Sequence, residues 1–364
     1  MKWRQKKNMG LRMALIYGGQ SGEHEVSVMS ASSVVKAVTG NIEILPIGIT
    51  KDGQWIPGLF PEEVVNTGRP EVMPSKVQDD SLLQNPSGFL LGSLKKQVDL
   101  VFPLLHGPMG EDGTIQGLLE LAGLPYVGAG IAASAVGMDK ALMKAIFCQQ
   151  GFPIGDYLVF LRKEWENEPD RIITEIEAAL GYPCFIKPAN MGSSVGISKA
   201  LDRQGLKEAL TLASSYDRKL VIEAFLDGQE VECAVLGNDQ PEASIPGEII
   251  PGAEFYSYED KYIKNDSKLV IPAALTQKQE AEVKELAVKV FKAIDCAGMG
   301  RVDFFVLRKD GRVIVNEINT IPGFTQISMY PKLWEATGVS YPKLIEQLID
   351  LAFERFKEKR RTRS

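Results

Sequence analysis

The first third of the chain alternates short apolar runs with helix-spaced segments, and this alternation limits the possible folds more than any other feature. Met13-Ala14-Leu15-Ile16-Tyr17 reads as a buried strand closed by Gly18-Gly19, and Val26 to Val38 has helical apolar spacing. Ile42 to Ile49 reads as a second strand and Leu100 to Leu104 as a third, followed by a glycine-rich turn and a helix near Thr114 to Ala122. Strands that alternate with helices predict a parallel, doubly wound sheet, so the fold class is α/β. The stretch from Pro57 to Ser93 has no clear period and reads as an insertion.

A chain of 364 residues is long for one domain; at roughly 100–200 residues per domain it divides into two or three. The expected units are 1–129, 130–226 and 227–364. The second opens with a helix through Asp139 to Gln150 and continues with a strand at Tyr182 to Lys187, a helix near Gln204 to Ser214 and a strand at Lys219 to Glu223. The third holds a strand at Glu230 to Leu236 and a terminal helix from Tyr341. Within it, Thr276 and Gln279 have capping-box spacing ahead of a helix through Ala293.

Charge and cysteine usage exclude several functions. The 41 basic and 47 acidic residues give −6, which argues against a nucleic-acid protein. Basic residues gather at Lys2 to Lys7 and Lys357 to Arg363, and both runs read as solvated tails. No apolar window approaches the ~18 residues of a membrane span, and the apolar run after the basic start is too short for a signal segment. Cys148, Cys184, Cys233 and Cys296 are widely separated, and with two histidines they make zinc and disulfide readings poor. A cytoplasmic location is expected.

Two β-rich runs, Arg301 to Leu307 and Arg312 to Asn319, flank Arg308-Lys309-Asp310-Gly311 and read as a hairpin. A three-residue loop, Lys309-Asp310-Gly311 with Gly311 left-handed, pairs Asp303 with Glu317. Asn319, two residues beyond Glu317, shares its face, so three oxygen-bearing side chains converge. A two-residue Asp-Gly turn would instead set Asp303 against Ile318 and split the group. Oxygen ligands suit magnesium, which binds through one or two carboxylates and substrate phosphates. The bland alternative is a hairpin with an ordinary polar face. Acids in such an apolar strand are costly without compensation, which favours a cation.

Other loops supply the chemistry that such a cation serves. After Phe185-Ile186-Lys187-Pro188, the segment Ala189-Asn-Met-Gly-Ser-Ser-Val-Gly196 allows an anion nest at Gly192 and Gly196, with hydroxyls from Ser193 and Ser194. It is not a P-loop, and a plain connector is the competing reading. Lys187 and Lys140 supply cations for a polyphosphate. The strand Val221-Ile-Glu223-Ala-Phe-Leu226 can present an edge to an adenine, and Glu230 can accept from ribose hydroxyls; a simple β-turn is the alternative. Gly18-Gly-Gln-Ser-Gly-Glu23-His-Glu-Val-Ser27 fills the turn after the first strand, where ligands of doubly wound sheets sit. Glu23 there either meets an ammonium group or complements the helix dipole. His106, in a second such turn through Thr114, reads as structural when taken alone.

Together these segments resemble the D-alanine–D-alanine ligase family within the ATP-grasp superfamily. The resemblance is carried by GGQSGEHEVS (18–27), LHGPMGEDGTIQGLLELAGLPYVG (105–128), GMDK (137–140), KPANMGSSVG (187–196), YSYEDKY (256–262) and GRVDFF…NEINTIPGFTQISM (300–329), in the family's order. It implies a three-domain ATP-grasp fold, with an N-terminal doubly wound domain capping two α+β domains that sandwich ATP. It further implies ligation of two D-alanines through an acyl phosphate, for peptidoglycan precursors.

The resemblance also implies residue roles. Asp303, Glu317 and Asn319 would hold two magnesium ions, with manganese as a substitute. Lys140 and Lys187 would contact the phosphates, and Ser193 and Ser194 lie in the loop closing over them. Glu223, Ala224, Leu226 and Glu230 would hold adenosine, with Lys261 also at the nucleotide. Glu23 would bind the first D-alanine's ammonium, with His106 nearby, and join Ser193 and Tyr262 in a network that helps deprotonate the second amine. Arg301 and the Gly323 N–H would form the oxyanion site. Lys261, Ser328 and the Met329 N–H would receive the second carboxylate. Tyr262 favours D-alanine as second substrate, because D-lactate-using relatives lack it. His24 stands where many members have Arg, and Ala189-Asn190-Met191 departs from other members' loops. No nucleic-acid or membrane partner is expected, and a homodimer is expected from the family alone.

Overall fold

The computed structural model describes residues 10–67, 71–72, 92, 94–250 and 268–361. The apolar run at the start becomes β1 (Leu11–Gly18), flanked in parallel by β2 (Ile42–Ile49) and β4 (Leu100–Leu104). Antiparallel β3 (Trp55–Pro57) closes one edge, giving the order β3-β2-β1-β4. Because β1 is buried on both faces, its residues feed two cores, as expected of a continuous apolar strand in a parallel sheet. Ala14 and Ile16 pack with Ile115 and Leu119 of α2 (Thr114–Ala122). Leu11, Met13, Leu15 and Tyr17 face the other way, toward Val28, Ala31 and Val34 of α1 (His24–Ala37).

That second core does not stop at the first sheet. It also takes in Leu344, Ile345, Leu348 and Ala352, which lie on one stripe of the last helix. Burial of each leucine or isoleucine is worth about 1.5–3 kcal/mol, so this helix is a substantial part of the floor under the first sheet.

The middle of the chain forms a four-stranded sheet in the order β5-β8-β6-β7. Its strands are β5 (Tyr157–Leu161), β6 (Cys184–Pro188), β7 (Ser198–Ala200) and β8 (Lys219–Ala224). It has a core of its own: Ile172, Ile173 and Ile176 from the helix Pro169–Ala179, and Leu206, Leu210 and Ala213 from the helix Arg203–Tyr216. The helices Ile131–Met138 and Lys140–Gln149 precede this sheet in sequence, but Ala133, Met143 and Phe147 pack under the third sheet instead.

The third sheet runs β12-β11-β9-β13-β14, with β10 pairing β9 at one side. Its strands are β9 (Gly228–Gly237), β10 (Glu242–Ala243), β11 (Gly247–Ile250), β12 (Lys268–Val270), β13 (Gly298–Leu307) and β14 (Val313–Asn319). The helix Gln277–Ala293 covers one face and is opened by Thr276, whose capping box with Gln279 is fully formed. Gln279 Nε2 also donates to Gly311 O at 3.1 Å, tying the helix start to the β13–β14 turn. The short helix Met329–Ala336 and the terminal helix Tyr341–Lys359 complete the unit.

The hairpin reaches the expected pairing by a different route. Leu307 and Arg312 close the turn, with Leu307 N donating to Arg312 O at 3.0 Å and Gly311 N to Leu307 O at 2.9 Å. The loop is therefore Arg308 to Gly311, not the three-residue Lys309-Asp310-Gly311, and its parity alone would set Asp303 against Asn316. A bulge between Asp303/Phe304 and Glu317/Val315 makes Asn316 the extra residue and brings Glu317 opposite Asp303. Bulges commonly re-aim side chains beside active sites. Gly311 is left-handed, at φ 71°, as the turn requires.

Candidate active site

The second and third sheets, with α1 and the 106–111 loop of the first unit, border one cleft of about 1030 Å³. It is lined by Glu23, His106, Lys140, Lys187, Ser193, Ser194, Glu223, Ala224, Leu226, Glu230, Arg301, Asp303, Glu317, Asn319, Gly323, Ser328 and Met329. Lys261 and Tyr262, the two other residues that the family resemblance places at the site, lie outside the described residues.

The third sheet forms one wall. Along β13 the burial alternates, so Val302, Phe304 and Val306 enter the core while Arg301, Asp303 and Phe305 face the cleft. Arg301 grips Asp303 through a fork, Nε to Oδ1 and Nη2 to Oδ2, both at 2.7 Å. Asn319 Nδ2 donates to the same Asp303 Oδ2 at 3.0 Å. Glu232, on β9 directly across from Asp303, lies 3.0 Å from Arg301 Nε. Burial opposes a charged guanidinium, but Asp303 and Glu232 hold the Arg301 pKa well above its ordinary value.

The second sheet forms the opposite wall. Lys187 at the end of β6 reaches Glu223 of β8 at 2.5 Å, and Lys144 reaches the other carboxylate oxygen at 2.9 Å. Burial would raise the Glu223 pKa, but the two ammonium groups keep its carboxyl well below the usual range. For Lys187, burial would lower the pKa, yet Glu223 and Glu317 raise it. Lys140 bridges the walls: its Nζ donates to Met191 O at 3.0 Å and lies 3.7 Å from Glu317.

The 189–196 loop differs from the expected nest. Ser193 and Ser194 take the left-handed conformation, at φ 47° and 61°, together with Gly196 at 71°. Two adjacent non-glycine residues there are uncommon, and such backbone tends to cluster at functional sites. Gly192 serves close approach instead, since a Cβ there would sit 2.4 Å from Glu23 Oε2. The Ser193 hydroxyl donates to Glu23 Oε1, so the loop rests on the first unit.

The first unit closes the cleft through buried, hydrogen-bonded side chains. His106 is buried, which lowers its pKa; Nδ1 bonds Ile321 O at 3.0 Å and Nε2 bonds Ser30 Oγ at 3.2 Å. Ser30 Oγ also accepts from Phe324 N at 3.4 Å, so the pair brackets the loop carrying Gly323. His24, the departure from the family's Arg, accepts from Val72 N at 2.9 Å and bonds Gly19 O at 2.7 Å, holding loops together. At the far end, Ser328 Oγ lies 2.7 Å from Thr325 Oγ1, beside Gly323.

Three residues of the site are not among those singled out from the sequence. Glu111 accepts from Gly107 N at 2.7 Å and Ile321 N at 3.0 Å, joining the first unit to the Gly323 loop. Burial, followed by the nearby Glu23 charge, pushes its pKa up to about 8. Lys144 lies one helical turn after Lys140, a spacing that places both on one face and was available to find it. Glu232 sits two residues from Glu230 and could have been found by strand parity.

Two sheets around one cleft, with lysines on one wall and paired carboxylates beside an arginine on the other, define the ATP-grasp class of ligase. Within that class the chain belongs to the D-alanine–D-alanine ligase family. Family models described as D-ala D-ala ligase N-terminus and C-terminus match residues 12–129 and 146–350. The D-alanine–D-alanine ligase of Ruminiclostridium cellulolyticum is 52% identical, covering 96% of this chain and 97% of its own. That of Halothermothrix orenii is 53% identical, covering 94% and 98%. Among solved structures, the D-alanine–D-alanine ligase from Coxiella burnetii is 35% identical with a TM-score of 0.79, covering 97% of this chain and 96% of its own. The VanG D-Ala:D-Ser ligase from Enterococcus faecalis is 36% identical with a TM-score of 0.79, covering 94% and 99%.

Proposed function

We propose that this enzyme joins two D-alanines into D-alanyl-D-alanine for peptidoglycan precursors, converting ATP to ADP and phosphate. The carboxylate of the first D-alanine attacks the γ-phosphorus and the bond to ADP breaks, leaving an acyl phosphate. The amine of the second then attacks the acyl carbon. The tetrahedral oxyanion collapses, phosphate departs, and the amine proton passes to the network of Tyr262, Ser193 and Glu23. Lys140 and Lys187 neutralise phosphoryl charge, and Arg301 with the Gly323 N–H receives the oxyanion. Such a donor is worth on the order of 10²–10³ in rate. Glu23, held by Ser193, binds the first ammonium with His106 behind it. Glu223, Ala224, Leu226 and Glu230 border the adenosine. Ser328 and the Met329 N–H, with Lys261, take the second carboxylate, and Tyr262 joins the Glu23–Ser193 pair.

Asp303, Glu317 and Asn319 suit magnesium, with manganese as a substitute. Among the described residues no three His, Cys, Asp or Glu side chains are grouped for a metal. The set here is two carboxylates and an amide, the partial oxygen shell that magnesium completes with phosphates and water. Two such ions would supply Lewis-acid neutralisation of the phosphates. We further propose the units 1–129, 130–226 and 227–364 as cap, nucleotide clamp and metal-bearing base, in a cytoplasmic homodimer. Among the described residues no helix is long and apolar enough to cross a membrane.

The observation that carries this reading is the bulge-set pairing of Asp303 with Glu317, beside Arg301 and within reach of Lys140. Phosphate release from ATP tests it. Release should be stimulated by D-alanine alone, and more strongly than by D-alanine mixed with D-serine or D-lactate in limiting amount. No stimulation by D-alanine, with release from another acid–amine pair, would overturn it.

A further inference from the structure

Glu232 has no part in the reaction as written, yet it is 5% exposed and stands on β9 between Val231 and Cys233. Its neighbours Val231, Cys233 and Val235 enter the core. A buried carboxylate is expensive unless paired, so its contact with Arg301 accounts for its tolerance there. Arg301 thus lies between two carboxylates, Asp303 on its own strand and Glu232 across the sheet.

The two are not equivalent. Both oxygens of Asp303 are taken up by the Arg301 fork. Its oxygens keep lone pairs for a cation, as the added bond from Asn319 shows, but charge shared with a metal is charge withdrawn from the guanidinium. With Asp303 shared with a metal, its hold on Arg301 would weaken inside a buried site. Glu232 then remains as the Arg301 counter-ion, held on the central strand of the sheet. A guanidinium has five donors in a fixed plane, so anchoring Nε leaves the terminal nitrogens aimed outward.

We propose that Glu232 is a positioning residue that holds Arg301 toward the developing oxyanion once Asp303 is shared with a metal. This rests on the reading of Arg301 as the oxyanion donor. Full-length E232Q, E232D, R301K and the E232Q/R301K double variant test it, by steady-state D-alanine-dependent phosphate release, ATP binding without D-alanine, and thermal melting. E232Q should lower kcat by about 10–100-fold, the range for partners that orient an active-site group. ATP binding and melting temperature should stay near the parent's, and E232D should recover part of the loss. The double variant should be no slower than R301K, because residues acting through one another are non-additive. Full activity in E232Q would overturn the inference. So would additive losses in the double variant, or a collapse of melting temperature and ATP binding that E232D does not restore. R301K as active as the parent would instead remove Arg301 from the oxyanion site, which is a separate failure.

Discussion

Two ion clusters line the cleft, and they are opposites in charge. On the second sheet one carboxylate, Glu223, holds two cations, Lys144 and Lys187. On the third, one cation, Arg301, is held by two carboxylates, Asp303 and Glu232. Each cluster has one more partner than it needs for neutrality. The surplus matches what each wall is proposed to receive: Lys187 can leave for phosphate while Lys144 keeps Glu223 ionised, and Asp303 can be shared with a metal while Glu232 keeps Arg301 paired. A buried charge that must change partners is safest with a second one already in place, because stranding it costs about 3–5 kcal/mol.

The sharpest way to break this comparison is on the acid-rich side. Glu317→Gln removes a proposed ligand without touching either cluster's internal pairs, and turnover should nearly vanish while the melting temperature holds. Near-normal turnover would take Glu317 out of the site. On the cation-rich side, Lys144→Met leaves Glu223 and Lys187 as a simple pair that ATP must pull apart. The KM for ATP should rise roughly tenfold, in keeping with the ~1.5–3 kcal/mol of a hydrogen bond to a charged group. An unchanged KM would mean that Lys144 is only packing.

Smaller effects test the hinge between the walls. Gly192→Ala places a Cβ against Glu23 Oε2, so kcat should fall several-fold, while overpacking costs about 1–3 kcal/mol of stability at most. Equal loss of kcat in Ser193→Ala would show that the Glu23 contact is what matters. The smallest effect concerns pH. Burial depresses the pKa of His106, so its contribution is present above the unfolded value near 6.5 and is lost as pH falls through the lower folded value. Melting temperature should drop on acidification below about pH 6, and His106→Gln should flatten that part of the profile.

The sequence made some of this visible and hid the rest for physical reasons. β1 and β4 are readable because both faces are buried and their apolar runs are nearly unbroken, and β2 because its second half, Pro46 to Ile49, is likewise buried. The capping box at Thr276 was readable because it is a purely local hydrogen-bond exchange. Asp303, Glu317 and Asn319 were readable as a group, but the turn proposed to align them was wrong, and the bulge at Asn316 corrects the register. A bulge leaves no local signature, since it depends on what the partner strand does. Glu111 was hidden for the same kind of reason: its second partner, Ile321 N, lies 210 positions away. The ion pairs of Glu223 with Lys144 and Lys187, and of Arg301 with Asp303 and Glu232, come only from the fold.

The stripe of the last helix under the first sheet bears on how the molecule is made. As the chain leaves the ribosome, Leu11, Met13, Leu15 and Tyr17 emerge well before Leu344, Leu348 and Ala352, which share their core. Until the later helix emerges that sheet face lacks part of its cover, the situation in which nascent chains recruit chaperones or aggregate. Losing the final helix should therefore be felt at the opposite end of the polypeptide. A stop codon before Leu344 should release chains whose amino-terminal sheet is protease-sensitive, even though every residue of that sheet is present.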